Sequence, residues 1–332
     1  MRAALLVLAG CGRLGFSDQL GDAAPAPPFD VESGGCLAAQ TGPFVEVGAF
    51  PTSGGGYGVW AAPPYVLMAD TTGGLHSLRF DGTAFTEVDH YEFGWVEDVW
   101  QVGATTFVAS PGTGIAALAI VDGKISVLDA DTSHTEARRG WESEGVLYLP
   151  EGGAGLFALR WTGTAFAQLA PSLPTMSWAQ GAWSSGSRTV FADADALRVV
   201  DFDGTALADA APPLTAHGGA SRVWSKDGHT VFVASADGIT AYALGATLVE
   251  VATFATDGTA RDVWSDGAHV FAASEHGGVY ALAFDGTSFT RLAQTDVGHT
   301  GLGVIGDGEF IFANDLESGL HAYRGFACTQ RE

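Results

Sequence analysis

The chain has 332 residues, with 46 glycines and 16% charged residues, which is more glycine and fewer charges than an average globular protein carries. This composition favours short strands joined by many turns. The 38 acidic residues outnumber 15 Lys and Arg, and the formal net charge of −23 excludes DNA and RNA as partners, because phosphate binding needs clustered cations.

The first eleven residues have the features of an export signal: a basic residue at position 2, an apolar run over residues 3–9, and small residues before Cys11. The run is too short to span a bilayer as a helix. Its last four residues, Leu-Ala-Gly-Cys, resemble a bacterial lipobox, in which the cysteine is acylated and becomes the mature N-terminus. The resemblance implies that residues 1–11 are a lipoprotein signal peptide, and that the lipid on Cys11 is the only contact with a membrane.

The residues that follow, Gly12 to Phe16, are similar to the openings of lipoproteins from myxobacteria. A glycine directly after the cysteine resembles Gram-negative lipoproteins that travel to the outer membrane. The resemblance implies an exported outer-membrane lipoprotein and leaves open whether it faces the periplasm or the cell surface. Residues 12–36 are rich in Pro, Gly and Ala and predict a flexible tether, so we place one folded domain at residues 37–328.

Cys36 and Cys328 are the cysteines that remain once Cys11 is lipidated, and they stand at the two ends of the predicted domain. Export makes a disulfide chemically permissible. A ring-shaped fold would bring the two ends together. We therefore predict a disulfide between them, with two free thiols as the alternative.

A repeat of about 40 residues governs the rest of the chain. Six tryptophans follow one another at intervals of 40, 41, 42, 41 and 40 residues: Trp60, Trp100, Trp141, Trp183, Trp224 and Trp264. We interpret them as side chains of the first strand in each unit that pack between neighbouring units. An aromatic platform for a carbohydrate is the alternative interpretation.

Asp-Gly pairs recur at one point of the unit, at residues 81–82, 122–123, 203–204 and 285–286. Asp-Gly between two alternating runs is a strong hairpin signal, because glycine accepts the positive φ of a tight turn. Each unit therefore reads as four short antiparallel strands. Four strands in about 40 residues predict the blade of a β-propeller.

The seventh unit starts near Leu302 and stops after its third strand, and residues 42–47 resemble the missing fourth strand. We expect residues 43–49 to pair beside residues 318–324, which removes the exposed sheet edges. The predicted fold is all-β: a seven-bladed β-propeller of four-stranded antiparallel blades, closed by an N-terminal strand that completes the last blade.

The units approximate a pattern of Asp-Val-x, then aromatic-Val-Ala, then Gly-Leu/Val-x-x-Leu/Val, and Asp-Val itself stands at residues 98–99 and 262–263. This order resembles the LVIVD repeat family over about residues 43 to 326. The resemblance implies a β-propeller.

The candidate ligand or metal face consists of the connections from the outer strand of one blade to the inner strand of the next, which share one face of the disc. Histidines there could bind a metal or act as acid or base, or could simply form hydrogen bonds within their loops. The mixed charges could hold a polar ligand or compensate one another in a ring of ion pairs. The residues of this face are His90, Asp98, His134, Arg139, His217, Arg222, Asp262 and His299.

Two functions compete, since the sequence contains no established catalytic motif. The first is a non-enzymatic binding or interaction scaffold, anchored to the envelope, that takes a protein or a small polar ligand on one face. We predict a monomer with no cofactor for it. The alternative is a lactonase-like or metal-dependent hydrolase at the channel mouth, which requires three or more His, Asp or Glu side chains within metal-ligand distance.

Overall fold

The computed structural model describes residues 44–52, 54–295 and 300–325, and the regular structure in these ranges is β-strand throughout. Cys11, Cys36, Cys328 and His299 lie outside the described residues. Within the described ranges, no helix has the length and apolar character needed to cross a membrane.

The strands are short and follow one another closely along the chain. In chain order they are β1 (Val45–Phe50), β2 (Gly56–Ala62), β3 (Tyr65–Asp70), β4 (Gly74–Phe80), β5 (Phe85–Tyr91), β6 (Asp98–Val102), β7 (Thr105–Ser110), β8 (Gly114–Val121), β9 (Lys124–Asp131), β10 (Trp141–Ser143), β11 (Val146–Glu151), β12 (Gly155–Trp161), β13 (Phe166–Gln168), β14 (Ala179–Ser185), β15 (Arg188–Asp193), β16 (Ala196–Phe202), β17 (Leu207–Asp209), β18 (Leu214–Thr215), β19 (Ala220–Trp224), β20 (Thr230–Ser235), β21 (Gly238–Leu244), β22 (Leu248–Phe254), β23 (Ala260–Ser265), β24 (His269–Ser274), β25 (Gly278–Phe284), β26 (Phe289–Gln294), β27 (Gly301–Gly306), β28 (Ile311–Asp315) and β29 (Gly319–Arg324).

These strands form seven antiparallel sheets, which are the blades of a propeller. Blade 1 is β2–β5, blade 2 is β6–β9, blade 3 is β10–β13, blade 4 is β14–β18, blade 5 is β19–β22, blade 6 is β23–β26, and blade 7 is β27–β29 with β1. Neighbouring blades contact each other in chain order, and β2 of blade 1 contacts β27 of blade 7, so the ring is closed. The predicted all-β, seven-bladed β-propeller is confirmed.

The N-terminal strand completes the last blade. Strand β1 pairs antiparallel with β29, with Val45 opposite Arg324 and Phe50 opposite Leu320. A bulge brings Gly48 so close to the hairpin of blade 1 that an added Cβ would lie 2.8 Å from the carbonyl oxygen of Thr83. The predicted closure is therefore confirmed, and it also packs blade 7 against blade 1.

The Asp-Gly hairpins explain why the third and fourth strands meet so tightly. In the first of them, Asp81 Oδ1 accepts hydrogen bonds from the backbone N–H groups of Thr83 (2.9 Å) and Ala84 (2.8 Å), and Gly82 has a φ of 96°. The same bonds recur at Asp203 and Asp285. A carboxylate that caps its own turn stabilises the turn locally, so these three hairpins depend little on neighbouring blades.

Blade 4 departs from the predicted four strands, because its outer strand is split into β17 and β18, which both pair with β16. Pro212 and Pro213 stand between the two pieces. Proline has no N–H group to donate to the sheet, so the ladder is interrupted there. The outer strand of blade 3 is also shortened, since β13 ends at Gln168 shortly before Pro171.

Phenylalanines on the second strands make recurrent contacts between blades. Phe312 of blade 7 has its ring centroid 5.5 Å from that of Phe80 and 6.1 Å from that of Phe85 in blade 1. Phe232 of blade 5 lies at 5.5 and 6.1 Å from the equivalent pair of blade 6, Phe284 and Phe289. Such edge and tilted aromatic contacts add to the stabilisation from buried area. The phenylalanines thus share the inter-blade packing that the sequence assigned to the tryptophans.

Candidate functional site

The three described histidines of the predicted face lie apart from one another. The ring of His90 stacks on that of His76 at a centroid distance of 4.6 Å, on the two outer strands of blade 1. His76 Nδ1 is 2.8 Å from Glu87 Oε1. Burial acts to lower the pKa of His76, but hydrogen bonds with Asp70 and Glu87 outweigh it, so the pKa is raised. His90 therefore belongs to a local cluster of blade 1.

The other two histidines each pair with a glutamate. His134 is buried with Nδ1 2.8 Å from Glu151 Oε2, and His217 is exposed with Nε2 2.7 Å from Glu250 Oε2. In the described part of the chain, no group of three or more His, Cys, Asp or Glu side chains is arranged to hold a metal ion. Hydrogen bonding of this kind is the alternative role that the sequence analysis gave for these histidines. Their use as metal ligands stays a prediction.

The four charged residues of the predicted face do meet, and we call them the axial ion network: Asp98, Arg139, Arg222 and Asp262. They come from the starts of the inner strands of blades 2, 3, 5 and 6, and all are more than nine-tenths buried. Arg139 Nη1 lies 3.1 Å from both carboxylate oxygens of Asp262, and Arg139 Nε lies 3.2 Å from Asp98 Oδ1. Arg222 Nη2 bonds to Asp98 Oδ2. Arg139–Asp262 and Arg222–Asp98 each join blades that are three apart in the ring, so the network crosses the central axis, whereas Arg139–Asp98 joins the neighbouring blades 3 and 2.

Two cations and two anions make the axial ion network neutral in sum. Burial lowers the pKa of Arg222, but the charges of Asp98 and Asp262 outweigh it, and the pKa is raised. Burial raises the pKa of Asp262 against the opposing charges of Arg139 and Arg222. The backbone N–H groups of Val263 and Val304 also bind its carboxylate, at 2.9 and 3.1 Å. In this geometry the charges compensate one another, while their use as a ligand face stays a prediction.

The opposite end of the inner strands carries a cavity that the sequence analysis did not predict. Trp100, Trp141, Trp183 and Trp224, with the hairpin residues that follow each of them, line a space of about 390 Å³. We call this cavity the Trp cup. Trp100, Trp183 and Trp224 follow the starts of their inner strands by a few residues, and Trp141 begins β10. The Trp cup therefore lies at the hairpins that lead from the first to the second strand of blades 2 to 5, with the axial ion network behind it.

The indole rings of the Trp cup meet across the channel. The ring centroids of Trp141 and Trp224 are 5.2 Å apart at an interplanar angle of 86°, although they belong to blades 3 and 5, which are not neighbours. Trp224 Nε1 donates a hydrogen bond to Ser265 O at 3.2 Å, which fixes its ring. Trp141 is half-buried, whereas the other three are buried. The interpretation of all six tryptophans as packing between neighbouring blades is thus incomplete.

The polar lining of the Trp cup is mainly acidic. Its charged side chains are Glu142, Glu144, Lys226 and Asp227. Burial raises the pKa of Glu142, and the hydrogen bond from Gly145 N–H opposes this only in part. In the described ranges, neither Glu142 nor Glu144 forms an ion pair with a Lys or Arg side chain. Among the described lining residues, three carboxylates stand beside the single cation Lys226, so the Trp cup combines aromatic surface with an excess of negative charge.

Part of the Trp cup was open to prediction from the sequence. The residues after three of the repeating tryptophans are Glu-Ser-Glu, Ser-Ser and Ser-Lys-Asp, whereas Trp60 is followed by Ala-Ala-Pro. An inner strand that ends at Trp places the next residues at one mouth of the channel, so this polar run was the available signal. Contact between rings of non-adjacent blades depends on the radius of the channel. The sequence repeat does not predict that radius.

No family model matches the chain, and no curated protein matches it. Many solved structures share its fold, among them the following two. The computationally designed Ika8 protein is similar with a TM-score of 0.64 and 9% identity, over 84% of this chain and 99% of that chain. The extracellular domain of BT3049 from B. thetaiotaomicron, which its name assigns to a hybrid two component system, is similar with a TM-score of 0.59 and 12% identity.

The second likeness covers 83% of this chain and 40% of the BT3049 chain, so this protein spans less than half of it. At such identities the likeness shows the fold alone. Fold, ring closure and blade order together place the chain in the class of seven-bladed β-propeller proteins.

Proposed function

We propose that this chain is a non-enzymatic binding module, held to the cell envelope by a lipid on Cys11, and that the Trp cup is its binding site. The observation that carries the proposal is the Trp cup itself. Ligand pockets are concave, largely apolar spaces of about 300–1,000 Å³ with a few polar groups for orientation. The Trp cup has a volume of about 390 Å³, aromatic walls and a polar lining.

Binding is preferred to hydrolysis because no observation favours the hydrolase. The hydrolase hypothesis requires three or more metal-ligating side chains in one place, and the described residues provide no such group. Propellers host many unrelated functions, so the fold does not decide between the two. One metal ion per chain in the purified full-length protein would contradict the proposal and favour the hydrolase.

The binding proposal predicts that a small molecule stabilises the full-length chain through the Trp cup. Thermal unfolding is followed with a panel of neutral sugars, amino acids, carboxylic acids and organic ammonium ions. A ligand at about 100 times its Kd adds about 2.7 kcal/mol, which raises the Tm by several degrees. Trp141→Leu should remove the shift. Trp178→Leu alters a partly exposed tryptophan outside the Trp cup and should keep it.

Absence of a shift with every class, or a shift that survives Trp141→Leu, would reject the Trp cup as the binding site. Glu142→Gln serves as the second variant, because it removes a charge without removing packing.

The anchoring proposal predicts that Cys11→Ser moves the protein from the membrane fraction to the aqueous phase, because a lipidated cysteine is the only anchor it includes. Fractionation of cells and detergent partition measure this. Cys36→Ser is the matched control, since it changes a cysteine but keeps the lipobox, and should leave the protein with the membrane. The proposal fails if the Cys11→Ser protein stays in the membrane fraction.

The LVIVD-like repeats, the outer-membrane location and the bridge between Cys36 and Cys328 belong to the same proposal. The pairing of Val45 with Arg324 supports the bridge, because Cys36 precedes Val45 and Cys328 follows Arg324, each by only a short stretch of chain. A thiol assay on the denatured, unreduced protein tests it: the two cysteines should not react, and two reactive thiols would reject the bridge.

A further inference from the structure

We infer that the ligand of the Trp cup is a small organic ammonium ion, with a trimethylammonium or similar alkylated amine against the tryptophan rings. The inference rests on the proposed function and narrows it to one chemical class. It is carried by the aromatic corner of the cavity and by the carboxylates beside it.

The aromatic corner offers the surface that a desolvated cation prefers. Trp141 and Trp224 stand at 86° to each other with their centroids 5.2 Å apart, and Trp141 is only half-buried. A cation is attracted to the face of an aromatic ring within about 6 Å of its centroid, and most strongly to Trp; quaternary ammonium ligands are the usual guests of aromatic cages. Trp224 is buried and Trp141 is half-buried, so Trp141 is the ring of this pair that a methylated ammonium group can reach.

The charge of the lining has the complementary sign. Glu142 follows Trp141 directly and is half-buried, and Glu144 lies two residues further along the same hairpin. Neither carboxylate has a Lys or Arg partner in the described part of the chain. Asp227 on the other side instead accepts hydrogen bonds from the backbone N–H groups of His229 (2.8 Å) and Thr230 (2.7 Å).

Three carboxylates and Lys226 leave the lining with an excess of negative charge, which a cationic guest offsets. A neutral sugar or alcohol could stack on the rings but would leave the charge of Glu142 uncompensated in a partly buried place, where unpaired charge is costly. An anion would add to that cost and would also be repelled by the formal net charge of −23.

The experiment compares choline with 3,3-dimethylbutan-1-ol, which has the same shape but carbon in place of the quaternary nitrogen. Isothermal titration calorimetry on the full-length chain measures both. We expect choline to bind about 10-fold more tightly or better, because only the charged molecule gains the cation–π and carboxylate interactions. Equal affinities, or no binding of choline, would overturn the inference.

The variants locate the effect. Trp141→Leu removes the exposed ring and should weaken choline binding by about 3- to 30-fold, and Glu142→Gln should weaken it by about 5-fold, with little effect on the neutral analogue. Trp178→Leu should leave both affinities unchanged. Unchanged choline binding in Trp141→Leu and Glu142→Gln would overturn the inference, and Glu142→Gln decides alone if Trp141→Leu fails to fold.

Failure of this inference is distinguishable from failure of the proposed function. A sugar or amino acid that binds at the Trp cup while choline does not would reject the ammonium ion and keep the binding module. Absence of binding by every class of the panel would reject both.

Discussion

Arg139→Met should lower the free energy of unfolding by about 3–5 kcal/mol, because it leaves the buried carboxylates of Asp98 and Asp262 without their shared cation. Desolvated charges that lose their partner are among the most destabilising changes known in protein interiors. For a domain of this size such a loss lowers the Tm on the order of 10 °C. Chemical denaturation with tryptophan fluorescence measures the change.

Two further variants test that explanation. Arg188 pairs with Asp201 at 2.8 Å on the surface, so Arg188→Met should cost less than about 1 kcal/mol. Combining Arg139→Met with Asp262→Leu should recover part of the loss, since the remaining pair, Asp98 and Arg222, is again neutral. If the double variant is less stable than Arg139→Met, the cost did not arise from an unpaired charge.

A chain that begins at residue 51 should lose about 4 kcal/mol or more relative to one that begins at residue 44. The first lacks Phe44, whose ring lies 5.5 Å from the ring of Tyr323, and β1, whose backbone pairs with β29. Each buried large apolar side chain is worth about 1.5–3 kcal/mol, and the bare edge of β29 invites association between molecules. Equilibrium unfolding and light scattering measure the two effects.

The chain that starts at residue 44 is the matched control. Both truncated proteins lack residues 1–43 and, with them, the predicted signal peptide, the predicted tether and Cys36, so they differ only in residues 44–50. A peptide of residues 44–50, added in excess, should restore part of the lost stability. Coincident unfolding curves for the two truncated chains would show that the closing strand contributes no stability.

The fold was predictable because its information is local and repeated. A tryptophan about every 40 residues and an Asp-Gly turn at a constant point of the unit indicate four strands per blade. Residues 42–47 resemble the fourth strand of the other units, which predicted that they complete the last blade. The split outer strand of blade 4 was not predicted, although Pro212 and Pro213 were visible. Its cause is the missing backbone donor, which a pattern of apolar residues does not show.

The candidate sites were less predictable because they depend on how blades face each other. Residues at the starts of inner strands had to approach the axis, and Asp98 and Asp262 both lie in the axial ion network. Their use as a ligand face stays a prediction. The histidines lie further out, where equivalent positions of different blades diverge. The contact between Trp141 and Trp224 depends on side chains that reach past an intervening blade, and no spacing in the sequence reports that distance.

The axial ion network also has a consequence for traffic through the protein. Its side chains join blade 3 to blade 6 and blade 2 to blade 5 across the middle of the disc. A solute would have to break several desolvated ion pairs to travel along the axis, which makes this route a closed one. The two sides of the disc are therefore chemically insulated from each other, and each can evolve its own partner without disturbing the other.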